Sequence, residues 1–159
     1  MASLENKLLQ AWIAPTLKAV GFTKLGATWH RAKPPFIQVL NIQGSQWSRN
    51  FYFNLGIYIT EMGDSDKPRE NHCHVRGRLD GFIPNRERFH QLCDFENDLS
   101  GEQRHTEIEA IIALYALPWL DQFGSKEQLQ QYIQRNNKDA KALISVDAFE
   151  YLGIPIDNS

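Results

Sequence analysis

Thr28-Trp29-His30-Arg31, Phe36-Ile37-Gln38-Val39-Leu40-Asn41-Ile42 and Phe51-Tyr52-Phe53-Asn54-Leu55-Gly56-Ile57-Tyr58-Ile59 are three runs rich in aromatic and β-branched residues, separated by the turn-formers Pro34-Pro35 and Gly44-Ser45. Such residues suit a pleated, half-buried surface, so the stretch from Thr28 to Ile59 predicts an antiparallel meander. In the third run Phe51, Phe53, Leu55, Ile57 and Ile59 share one face, while Tyr52, Asn54, Gly56, Tyr58 and Thr60 share the other. That alternation marks a strand with one face in the core and one face more polar. No catalytic signature lies on it.

Outward from the meander, Ser3 is placed to cap a helix over residues 3–20 whose apolar positions are Leu4, Leu8, Trp12 and Leu17. Gly21 stands where that helix ends, and Pro15 is expected to kink or restart it. Phe22 to Leu25 reads as extended. Glu61 to Asn71 collects Gly63, Asp64, Ser65, Asp66 and Pro68, a polar loop. His72 to Leu79 alternates again, which predicts a strand with Cys73, Val75 and Leu79 on one side and His72, His74, Arg76 and Arg78 on the other. Asp80 to Leu99 has no clear period.

Ser100 with Gln103, and Ser125 with Gln128, have the spacing of capping boxes. The first opens a helix with Ile108, Ile111, Ile112 and Tyr115 on one stripe, which Pro118 ends or restarts. The second places Leu129, Tyr132 and Ile133 inward. Ala140 to Ile144 and Asp147 to Leu152 read as short helices, the latter stopped by Gly153 and Pro155. Strands within 22–79 followed by helices within 100–152 predict an α+β fold. It is an antiparallel sheet of about four or five strands, with an N-terminal helix and several C-terminal helices packed on it, in one domain over 1–159.

A chain of 159 residues, 42% of them hydrophobic, is the size of one domain able to bury roughly 70% of its unfolded surface. The net charge of −2 argues against nucleic acid as a partner of the whole surface. No apolar run has the length of a membrane span, and the first ten residues do not form a secretory signal. Two cysteines and no Asn-x-Ser/Thr acceptor suit a reducing, cytoplasmic setting.

Several of these motifs together resemble one family: Trp29-His30-Arg31, the strand ending in Asn41-Ile42-Gln43, Asn54-Leu55-Gly56-Ile57-Tyr58, Cys73-His74-Val75-Arg76-Gly77-Arg78, and Leu117-Pro118-Trp119-Leu120. Their order and spacing are similar to the bacterial DUF4304 domain family, from the first helix to about Ile133. The resemblance implies a single bacterial domain, and brings no established reaction, cofactor or catalytic residue with it. Phe89 and Phe95 occupy a region where family members carry tryptophans.

The strongest local chemistry is the row His72, His74, Arg76 and Arg78, which would attract a carboxylate or phosphate. Between Lys67 and His90 six basic residues stand against three acidic ones, whereas between Gln91 and Ala110 Arg104 stands against six acids. Those segments either pair with each other or leave a basic face free. The candidate ligand-binding face is therefore Tyr52, Asn54, Tyr58, His74, Arg76 and Arg78, with Trp47 at its rim as an exposed anchor.

A non-catalytic module for a protein partner or a small anionic ligand fits these residues, and an immunity or adaptor role would suit it by analogy. The alternative is a metal-dependent or acid/base hydrolase centred on His72 and His74, although the two arginines on that face would repel a cation. The sequence offers no catalytic set and no cofactor motif: Gly-x-Ser-x-Gly, Walker and Gly-x-Gly-x-x-Gly patterns do not occur.

Overall fold

The computed structural model describes residues 2–136 and 142–155. The Thr28–Ile59 meander forms as expected, and gains strands at both sides. β1 (Thr23–Leu25), β2 (Thr28–Lys33), β3 (Phe36–Gly44), β4 (Phe51–Ile59), β5 (Val75–Arg78) and β6 (Ala142–Ile144) lie side by side in that order, antiparallel throughout. The sixth strand corrects one expectation. Residues 142–144 belong to a stretch whose sequence reads as a short helix, yet they pair with β5, because Val75, Arg76 and Gly77 would otherwise be an open edge. Ala140 and Lys141 lie outside the described residues.

Helices cover one face of the sheet. They are α1 (Leu4–Ala19), α2 (Arg86–Cys93), α3 (Gly101–Ile111), α4 (Leu117–Asp121), α5 (Lys126–Asn136) and α6 (Val146–Leu152). Phe36, Leu40, Phe53, Leu55, Ile57, Ile59 and Val75 from the sheet meet Leu9, Ile13, Leu17, Ile108, Ile112, Leu120, Leu129 and Ile133 in one core. The α1 stripe differs from its expected one: Leu4 and Leu8 are exposed, and Asn6, Leu9, Gln10, Ile13 and Leu17 face inward. The spacing alone allows either stripe. Asn6 and Gln10 are tolerated because Gln10 Nε2 donates to Asn6 Oδ1 at 2.8 Å.

Pro15 does not break α1, which runs unbroken to Ala19. The proline removes one backbone donor, while the buried stripe on either side of it holds the helix against the core; Ile13 and Leu17 are both fully buried. The end at Gly21 is as expected: Gly21 has φ 96°, its N–H reaches Lys18 O and the Phe22 N–H reaches Leu17 O. Ser100 and Ser125 accept from the Gln103 and Gln128 N–H groups at 3.1 and 3.2 Å, as capping residues should. At Pro118 the helix does not stop; α3 passes through a π turn over Ile112–Ala116 into α4. The wider turn takes up the missing donor ahead of the proline.

The region without a clear period, Asp80 to Leu99, contains α2. Asn85 caps it by accepting from Arg88 N–H, and Phe89, Leu92 and Cys93 are its buried face. Arg31 and Gln38 are polar residues on the helical face of the sheet. Arg31 donates to Gln38 Oε1 from Nε and Nη2, to Val20 O, and to Asp121, while Gln38 Nε2 donates to Leu120 O at 2.6 Å. This network ties β2 and β3 to the ends of α1 and α4 and supplies the partners a buried guanidinium requires.

Candidate functional site

The second face of the sheet carries Thr28, His30, Ile37, Val39, Asn41, Gln43, Tyr52, Asn54, Gly56, Tyr58, Arg76 and Arg78, by the strand register. Among the described residues, none of the six α-helices lies on it. The segment between β4 and β5, Thr60 to His74, folds back over one half instead. Cys73, Ile37, Val39 and Tyr58 form a small buried cluster there. The approach is close at Gly56, where a Cβ would lie 2.7 Å from Cys73 Sγ. Polar ties hold the segment: His30 Nε2–H donates to Pro68 O at 2.7 Å, His74 Nδ1 accepts from the Ile59 N–H at 2.9 Å, and Tyr58 Oη accepts from the Ser65 N–H at 3.3 Å.

Cys73 is thus on the opposite side from its expected one. The segment makes a single 3-10 turn over Glu70–His72, and β5 begins only at Val75, so strand parity does not extend back to Cys73. The same turn removes His72 from the row: it is exposed on the turn, and the strand carries Arg76 and Arg78. Burial pushes the Cys73 thiol far above its ordinary range and lowers the pKa values of His30 and His74. His74 packs against the Tyr58 ring at 4.9 Å.

The other half of this face is open, and two adjoining hollows occupy it. The larger, of about 640 Å³, is lined by residues including Gln43, Asn54, Glu70, Arg76, Arg78, Asp80 and Arg86. The smaller, of about 450 Å³, shares Gln43, Asn54, Glu70 and Arg76 and adds Thr28, Asn41, Arg69 and Asn71. Glu70, nearly buried, holds Arg76 by two bonds of 2.9 and 3.3 Å. Asp80 lies 3.5 Å from Arg86 and 2.9 Å from His90. The Arg78 guanidinium lies over the Tyr52 ring, 4.2 Å from its centroid.

The floor is a chain of side-chain amides. Asn54 Nδ2 donates to Gln43 Oε1 at 2.9 Å and to Asn41 Oδ1 at 3.3 Å, and Asn41 Nδ2 donates to Thr28 Oγ1 at 3.0 Å. Among the described residues the lining holds cations, carboxylates, amides, the Thr28 hydroxyl and the apolar side chains of Ile83 and Leu143. It can therefore bind through charge and hydrogen bonds. Among the described residues no group of three or more His, Cys, Asp or Glu side chains converges as a metal-holding set.

The expected site residues divide in three. Asn54, Arg76 and Arg78 line the open half, with Tyr52 beneath Arg78. Tyr58 and His74 lie in the covered half. Trp47 stands away from the hollows, 92% exposed in the β3–β4 turn. Sequence reasoning misses Gln43, Asn41 and Thr28, which the register with Asn54 would have revealed, and Glu70, which enters from the loop and has no such signal. The acidic and basic segments do pair in part: Arg88 bonds Glu107 at 2.6 Å.

The arrangement defines an α+β domain whose sheet is covered by helices on one face and half-covered by its own loop on the other. A family model described as a domain of unknown function, DUF4304, matches residues 13–122, and the chain belongs to that family. Neither a curated protein nor a solved structure matches the chain significantly. No helix among the described residues is long and apolar enough to cross a membrane.

Proposed function

We propose that this chain is a non-catalytic binding module that receives a small anionic ligand on the open half of its second sheet face. A bacterial, cytoplasmic setting goes with this reading, supported by the family resemblance and by two free, buried cysteines. One observation carries the proposal: Arg78 is exposed beside the hollow, its guanidinium lies over the Tyr52 ring, and its side chain makes no ion pair or hydrogen bond within the described residues. Arg76, by contrast, is engaged by Glu70. A guanidinium with free N–H groups suits a carboxylate or phosphate.

Thermal unfolding with propionate and with inorganic phosphate tests this. At least one anion raises the Tm of the wild type and leaves that of Arg78→Met unshifted, since methionine keeps the packing on Tyr52 and removes the charge. Equal shifts in both proteins contradict the proposal. A protein partner is the second reading, favoured by Trp47 at the hairpin tip. Trp47→Ala leaves the anion response unchanged if the two surfaces are separate.

A further inference from the structure

The orientation of Asn54 narrows the ligand, if the open half is the site. Asn41 Nδ2 lies 3.4 Å from Ala27 O, a backbone carbonyl that can only accept. That fixes the Asn41 amide, so its Oδ1 faces Asn54 and must receive a donor. Asn54 consequently turns Nδ2 toward Asn41 and Gln43, and its own Oδ1 is left without a donor among the described residues. Asn54 is 5% exposed and lines both hollows. That oxygen opens onto the hollows, where it can accept from water or from a donor on a ligand.

Arg78 is the direct cross-strand partner of Asn54, and its guanidinium leans over Tyr52, two residues along the same face and roughly 7 Å away. A cationic donor and a neutral acceptor therefore stand on paired strands of the same face. We infer that the ligand is a carboxylate carrying an amide N–H close to the carboxyl group, as at the free carboxy terminus of a short peptide. The carboxylate is received by Arg78 and the adjacent N–H by Asn54 Oδ1. Phosphate satisfies the first group but matches the second only through a protonated oxygen, and a simple carboxylate leaves the asparagine to water.

Calorimetric titration of the full chain with acetylglycylglycine, its carboxy-terminal amide, the ester analogue with oxygen in place of the last N–H, and propionate tests the inference. Acetylglycylglycine binds, and both the amide and the ester bind at least tenfold more weakly, because each deletes one half of the match. Arg78→Met loses the preference for the free carboxylate but keeps the fold. An ester that binds as well as the amide-linked peptide overturns the inference while leaving an anion site, as does propionate binding equal to the peptide. Absence of binding by every carboxylate in the series overturns the inference, and absence of binding by inorganic phosphate as well overturns the anion site on which it rests.

Discussion

Arg104 holds the backbone between α2 and α3 in place from a single buried position. It is 2% exposed and donates to the carbonyls of Leu92, Asp94, Gln91, Leu99 and Asn97. A charge count sees it only as the lone cation among six acids, since carbonyl partners leave no mark in composition. Arg104→Ala strands several of these carbonyls and lowers the unfolding free energy by about 2–4 kcal/mol. Arg104→Lys recovers part of that, because an ammonium reaches fewer of them. Urea unfolding of the two variants measures both, and equal stability of wild type and alanine variant contradicts this role.

At the same scale, His30 and His74 sit in the folded chain as neutral rings. Burial lowers both pKa values, and the unfolded chain then binds more protons than the folded one below the ordinary histidine value of about 6.5. Stability is present above that value and falls as the pH drops through it. Protonation of His74 would also cancel the acceptor for Ile59 N–H. Urea midpoints between about pH 7.5 and about pH 5 decline in the wild type, and the decline flattens in His30→Gln/His74→Asn. An identical slope in that variant refutes the assignment.

Among the elements, the segment from Thr60 to His74 decides how much of the second face is open, and it is the least legible in the sequence. The strands of the meander and the serine-capped helices announce themselves by period and cap. A loop that folds onto a sheet through Pro68, Cys73 and Glu70 has neither period nor cap to read. α2 escapes notice because eight residues give a short apolar pattern, although Asn85 and the spacing of Phe89, Leu92 and Cys93 mark it. β6 follows from a pairing with β5 that no local signal specifies.

The loop's seat is testable at Gly56. A Cβ there would come within 2.9 Å of Cys73 Cβ as well as close to its sulfur, so Gly56→Ala costs about 1–3 kcal/mol. Cys73→Ala removes the sulfur and offsets part of that cost, giving a coupling energy of about 0.5–1 kcal/mol in a double-mutant cycle. Strictly additive effects would mean that the two residues do not touch.

For the whole molecule, the distribution of cover explains which sequence expectations reach the site. Among the described residues the six α-helices lie on the Phe53 and Ile57 face, so there the Tyr52 and Asn54 face is left to the loop and to solvent. Alternation along β4 separates these faces correctly. It cannot tell that Tyr58 lies under the loop while Tyr52 does not, since both have the same parity. Trp47 contributes no packing that its removal would cost, and Trp47→Ala changes stability by less than about 0.5 kcal/mol.

The central claim is a location, the open half of the second sheet face. Amide and side-chain ¹H–¹⁵N spectra of the labelled full chain, titrated with propionate and with inorganic phosphate, test it most directly. The account predicts saturable shifts at Gln43, Asn54, Gly77 and Arg78, with the helical face and Trp47 unmoved. Shifts confined to the hairpin tip or the helices, or no saturable shift at those four residues, would contradict it.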